Sequence, residues 1–194
     1  MSGGSEPESF SRAGLYERLA AGGWGGLDEP VRRLHARGRG AGVFAVRRGA
    51  GRAARLLARL LRLPPGGEAV PLLLSVEPLE GGGERWRRNF AGRDFVTEQR
   101  EHAGALLAER VGPFELLFRL SAAGGALAYR QEGAFVRAGR VRVRLPRRLA
   151  PRVEAWERAG ARGGGVRVLV RVGAPLVGLV IEYEGIVNVE EGGG

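Results

Sequence analysis

From about residue 70 to residue 189 the apolar side chains recur at every second position, a period that argues against a helical bundle and for a large antiparallel sheet. Phe114, Leu116, Phe118 and Leu120 share one face of a strand, as do Val141, Val143 and Leu145, and as do Val166, Val168, Val170 and Val172. Arginine or glutamate often stands between them. The pattern predicts strands near 70–77, 84–90, 93–102, 105–111, 114–121, 126–132, 140–145, 152–158, 165–172 and 179–189. Short breaks such as Ala91-Gly92, Ala103-Gly104 and Gly124-Gly125 join them, as in a meander with one buried face. A sheet of so many strands has to curl or close.

Helical spacing is confined to the first third of the chain. Leu15 and Leu19 lie four apart behind Ser11 as N-cap, and Leu27 to His35 forms a second short helix opened by Asp28 and Pro30. A strand over Val43–Arg48 follows, then an amphipathic helix over Gly51–Leu63 that Pro64-Pro65 ends. Its apolar stripe of Ala53, Leu56, Leu57, Leu60 and Leu61 lies opposite Arg52, Arg55, Arg59 and Arg62. We read that stripe as a core face in preference to a surface lying on an anionic membrane. The expected fold class is α+β: a strongly curved antiparallel sheet, half-barrel or open barrel, with two short N-terminal helices and one amphipathic helix packed against it. One domain over 11–189 is expected, with residues 1–10 and 190–194 as polar, glycine-rich tails.

Composition narrows the chemistry. The chain has 194 residues, a net charge of +10 and no cysteine, so disulfides, thiolate catalysis and cysteine metal sites are excluded. All 31 basic residues are arginine, Thr97 is the sole threonine, and Ile181 and Ile186 are the only isoleucines. That bias matches a GC-rich coding sequence and accounts for much of the charge. With arginines spread at strand and helix spacing, neither nucleic acid nor membrane is the expected partner. No apolar run approaches the roughly 20 residues of a membrane span, and MSGGSEPESF lacks the regions of a signal peptide, so a cytoplasmic protein is expected.

Several short stretches along the chain form a pattern together. Leu15-Tyr16-Glu17-Arg18-Leu19, Val31-Arg32-Arg33-Leu34-His35 and Leu56 through Pro65 are followed by Glu84-Arg85-Trp86 with Phe90 and by Glu109-Arg110-Val111-Gly112-Pro113. Pro146-Arg147-Arg148-Leu149-Ala150-Pro151 with Glu154 and Glu157, and Pro175-Leu176-Val177-Gly178 with Tyr183 and Gly185, complete the set. Over roughly residues 11–187 the chain resembles an uncharacterised bacterial domain-of-unknown-function family, whose members occur alone or behind a saccharopine-dehydrogenase-like Rossmann domain. The resemblance implies an auxiliary role beside small-molecule metabolism and carries no catalytic motif. This sequence has no βαβ dinucleotide unit: Gly38-x-Gly40-x-Gly42 precedes a strand and opens no helix.

No cofactor is expected, and no metal, because His35 and His102 lie in different segments and Asp28 and Asp94 are the only aspartates. No G-x-S-x-G is present, which argues against a serine hydrolase. Glutamate, arginine, tyrosine and histidine inside an apolar sheet remain. If Ala103-Gly104 is a two-residue hairpin, Glu98 faces Glu109 directly, with residues 98, 100 and 102 on one side. Such a pair is either a solvated face clamped by Arg100 or Arg110 or an acid–base dyad with a raised pKa. Glu98 and Glu109 are thus the candidate catalytic pair, with Glu154 or Glu182 next in line. Arg100, Trp86, Phe118, Tyr129 and Tyr183 are the candidate ligand-binding residues, although aromatics at these intervals also suit plain core packing. The leading expectation is a pocket protein for an apolar or amphipathic small molecule, with cofactor-independent cyclase or isomerase chemistry of bacterial secondary metabolism. The competing one is a non-catalytic accessory module that docks onto a metabolic enzyme.

Overall fold

The computed structural model describes residues 13–20, 22–161 and 164–190; the expected tails at 1–10 and 191–194 and the Ser11 cap lie outside them. Among the described residues, three short α-helices, α1 (Leu15–Leu19), α2 (Glu29–Arg37) and α3 (Arg52–Leu60), and one 3-10 turn (Trp24–Gly26) accompany eleven strands, so the fold is mostly β. β1 (Arg39–Arg48) precedes α3. The others are β2 (Gly67–Leu79), β3 (Gly83–Phe90), β4 (Arg93–His102), β5 (Leu106–Val111), β6 (Phe114–Ala123), β7 (Ala126–Ala138), β8 (Val141–Arg144), β9 (Arg152–Ala159), β10 (Val166–Ala174) and β11 (Gly178–Val189).

The sheet closes, which corrects the half-barrel or open-barrel expectation. β1 to β7 pair in sequence, β7 pairs on to β9, then β10 and β11 follow, and β11 returns to β1. The result is a ten-strand antiparallel barrel, with β8 a short flap on the far half of β7. Closure depends on a stretch that alternation cannot reveal. Arg39-Gly-Ala-Gly has no apolar periodicity, yet it extends β1 so that Gly40 pairs with Val189 and the ladder runs on to Arg48 and Ile181. The seam is tight: a Cβ on Gly185 would meet the Phe44 ring at 2.6 Å, and one on Gly42 would meet the Ile186 carbonyl. Only glycine permits that approach.

β1 also defines the two ends of the barrel, because it enters from α2 and leaves into α3. α1 and α2 cover the first end, packing on β4 and on β9 to β11 and burying Leu15, Tyr16, Leu19, Val31 and Leu34. Gly38 ends α2 in the left-handed conformation (φ 63°). α3 lies across the other end against β1 and β11. Its buried residues are Ala54 and Ala58, whereas Leu56 and Leu60 face solvent, which corrects the reading of the whole leucine stripe as core. Close approach is the cause: a Cβ on Gly49 would meet Ala54 Cβ at 2.7 Å, so the sheet-facing side of the helix tolerates only small residues.

The outer sheet face carries the ion pairs its alternation suggests, including Arg85 with Glu98 (3.0 Å), Arg87 with Asp94 (2.8 Å) and Arg47 with Glu182. Exposed pairs of this kind contribute little each.

Candidate functional site

Two chambers lie along the barrel axis. Beneath α3 is an apolar cavity of about 320 Å³, walled by Leu57, Leu61 and Leu63, by Phe95, Phe114 and Leu116, and by Val170, Val172 and Ile181. Among the described residues, Glu109 is the only carboxylate in its wall, and Arg148 the only cation. Beyond it is a smaller chamber of about 70 Å³, lined by Trp86, Arg88, Gln99, Phe118, Tyr129 and Glu157 among others. The two share Glu109, Val153, Val170 and Tyr183, which therefore form the floor of one and the roof of the other.

A continuous polar network fills the end covered by α1 and α2. His35, on α2, places Nε2 2.6 Å from Glu157 Oε2 on β9. The Tyr129 hydroxyl donates to the other carboxylate oxygen at 2.8 Å, and its oxygen lies 3.3 Å from that of Tyr16. Tyr16 donates in turn to Gln99 Oε1 (2.8 Å), and Gln99 Nε2 donates to Glu109 Oε1 (3.2 Å). Arg88 reaches the same oxygen at 3.9 Å, donates to Thr97 Oγ1 at 3.0 Å and lies over the Trp86 ring. His35 is stacked on Tyr16, with ring centroids 3.7 Å apart, and its Nδ1 is buried with no partner.

Charge within this network is fixed by its neighbours. Burial alone would raise the pKa of Glu157, but the charge and hydrogen bond of His35, the Tyr129 hydroxyl and Arg88 hold it below the usual carboxylate value. Burial first, and Glu157 second, push Tyr129 and Tyr16 well above the ordinary tyrosine value. Tyr183 is pushed up to about 12, chiefly by burial, with Arg88 opposing the rise. At neutral pH the chamber thus presents a carboxylate at Glu157 and protonated hydroxyls at all three tyrosines.

Of the residues singled out from the sequence, Glu109, Trp86, Phe118, Tyr129 and Tyr183 line this interior. Glu98 and Arg100 do not. The turn after β4 has three residues, Ala103-Gly104-Ala105, with Gly104 and Ala105 both at positive φ (77° and 54°). His102 therefore pairs with Leu106, Gln99 with Glu109 and Glu98 with Arg110, one residue out of the expected register. The slip turns Glu98 to the outer face, where it pairs with Arg85, so the two glutamates are not neighbours. Arg100 lies on the outside with it, donating to the Glu80 carbonyl. Glu182 also faces outward, held by Arg47 and Arg171.

Sequence reasoning missed Tyr16, His35, Arg88, Gln99 and Glu157 as members of a site. Glu157 did leave a signal: on β9 it follows Val153 and Ala155 at the parity of the apolar face. Among the described residues no group of three histidines or carboxylates could hold a metal ion.

A closed antiparallel barrel with a chamber opening beneath a helix defines the class of this protein. The chain belongs to the family described as domain of unknown function (DUF4166), whose model matches residues 27–186. A crystal structure of a protein of unknown function from the DUF3598 family of Nostoc punctiforme is similar in fold, with a TM-score of 0.51 at 11% identity. The match covers 84% of this chain and 49% of that one, so the chain spans about half the length of that structure. No curated protein matches the chain.

Proposed function

We propose that the barrel binds a small apolar or amphipathic molecule, its apolar body under α3 and its polar head at the floor formed by Glu109 and Tyr183. The observation that carries this reading is the cavity of about 320 Å³ with a single carboxylate in its wall, since ligand sites are typically apolar clefts of a few hundred Å³ with a few convergent polar groups. The chemistry we propose is that of a cofactor-independent cyclase or isomerase of bacterial secondary metabolism. Glu109 would accept a proton from the ligand and return it elsewhere, while the protonated Tyr183 hydroxyl donates to the oxyanion formed between the two steps. Glu157 and Tyr129 lie one chamber deeper and hold the floor in place.

Native mass spectrometry of the protein purified from its own host tests the reading. A bound mass that is lost on denaturation is the expected result. An empty protein that also fails to take up a fluorescent fatty acid would overturn it and favour the accessory-module reading, in which the barrel serves as a docking partner of a metabolic enzyme.

A further inference from the structure

The arginines are not distributed evenly over the barrel. At the α3 end, residues 49–67 and 139–153 carry no acidic residue and ten arginines. Arg142 pairs with Glu115 on β6 (2.7 Å), and seven of the others are Arg52, Arg55, Arg59, Arg62, Arg147, Arg148 and Arg152. All seven are exposed. Among the described residues none has a carboxylate within 4.0 Å, in contrast to the paired arginines of the outer sheet. Four large apolar side chains share the same end: Leu56 (58% exposed) and Leu60 (70%) on α3, Leu149 (56%) between β8 and β9, and Leu176 (84%) between β10 and β11. Leu149 and Leu176 also line the large cavity, so they form its rim, and Leu57 and Leu61 continue the α3 stripe into its wall.

We propose that this rim is a docking face for an anionic lipid surface, with Leu56, Leu60, Leu149 and Leu176 entering the interface and the surrounding arginines contacting the headgroups. Clustered exposed leucine is unfavourable in water, and an anionic bilayer takes up the leucines while its headgroups attract the solvated arginines beside them. Nucleic acid would satisfy the arginines and leave the leucines in water. Docking in this orientation sets the cavity mouth against the hydrocarbon, where an apolar molecule already partitions. The face goes beyond the ligand-binding reading and does not depend on it, because Leu56 and Leu60 lie outside the cavity wall.

Co-sedimentation of the full chain with vesicles tests the face. Binding to vesicles of equal parts phosphatidylglycerol and phosphatidylcholine, and none to phosphatidylcholine alone, is expected, together with loss of binding as salt rises. Removing Arg55 and Arg59 as glutamines should weaken partitioning by about fivefold per residue. The Leu56→Glu/Leu60→Glu variant should no longer sediment, while keeping the circular dichroism melt and fatty-acid uptake of the parent. Equal binding to both vesicle types, undiminished binding by the leucine variant, or a preference for duplex DNA over vesicles would each overturn the proposal. Since fatty-acid uptake is read separately, loss of the docking face and loss of the ligand site give different results.

Discussion

The His35 imidazole, carried by α2, lies 2.6 Å from the Glu157 carboxylate on β9, a buried contact that joins α2 to the barrel wall. Both side chains are buried, and Glu157 is engaged on both oxygens, by His35 and by Tyr129.

Breaking that tie should be costly. Glu157→Ala leaves His35 and Tyr129 without their acceptor, and removing one member of a buried pair typically destabilises by about 3 kcal/mol or more. The pH dependence has a definite sign. The folded pKa of Glu157 lies below the unfolded one, so its contribution is present above about pH 4.3 and is lost as pH falls through the depressed value. Urea unfolding from pH 7 to pH 3 should show a steeper acid loss in the parent than in Glu157→Gln; parallel curves would contradict the assignment.

The tyrosines behave in the opposite sense. Tyr16 and Tyr129 hold their protons more tightly when folded, so their contribution is present below about pH 10 and falls away as pH rises beyond it. Tyr16→Phe removes the donor to Gln99 and should cost about 1 kcal/mol at pH 7. It should also flatten the alkaline limb of a thermal-stability profile between pH 9 and pH 11. An unchanged alkaline limb would show that Tyr16 ionises freely.

How much of this was legible beforehand differs between fold and site. The alternation located the strands from β2 to β11 to within a few residues, except that β7 runs six residues past its expected end to Ala138, and Pro64-Pro65 marked the end of the helical region, because side-chain parity and helix breakers are local properties. Closure was not legible, since it rests on Gly40, Gly42 and Gly185, whose role appears only when β1 meets β11. The Glu98–Glu109 pairing failed on a single residue of turn length, which alternation leaves open. Tyr16, His35 and Glu157 come from three distant segments, so their meeting is a tertiary fact. The parity of Glu157 on an apolar strand face was the one local trace of it.

The seam makes its own prediction. Gly185→Ala would press a Cβ against the Phe44 ring and the Val43 carbonyl, and overpacking of this kind costs about 1–3 kcal/mol. Gly26→Ala, at a site with nothing within 4 Å, serves as the control and should melt close to the parent. Amide exchange across β1 and β11 should speed up in Gly185→Ala alone, because those strands are the ones forced apart. If exchange rises instead around β4 and β5, closure at this seam is not what the glycine protects.

The last prediction separates the two glutamates. Glu109 stands in the wall shared by the two chambers, hydrogen-bonded by Gln99 and approached by Arg88, whereas Glu98 sits on the outer face in an ion pair with Arg85. A charged hydrogen bond to a bound polar head is worth about 1.5–3 kcal/mol, so Glu109→Gln should weaken binding of the co-purifying molecule about tenfold or more. Glu98→Gln removes an exposed pair worth well under about 1 kcal/mol and should leave affinity unchanged. Isothermal titration of both variants with that molecule reads the difference directly. Glu109→Gln keeps the shape of the wall, so the cavity still accepts an apolar body, and a loss confined to ligands bearing a polar head would place that head at Glu109. Equal affinities for parent and Glu109→Gln would remove Glu109 from the site, and a loss in Glu98→Gln alone would mean that the ligand binds outside the barrel.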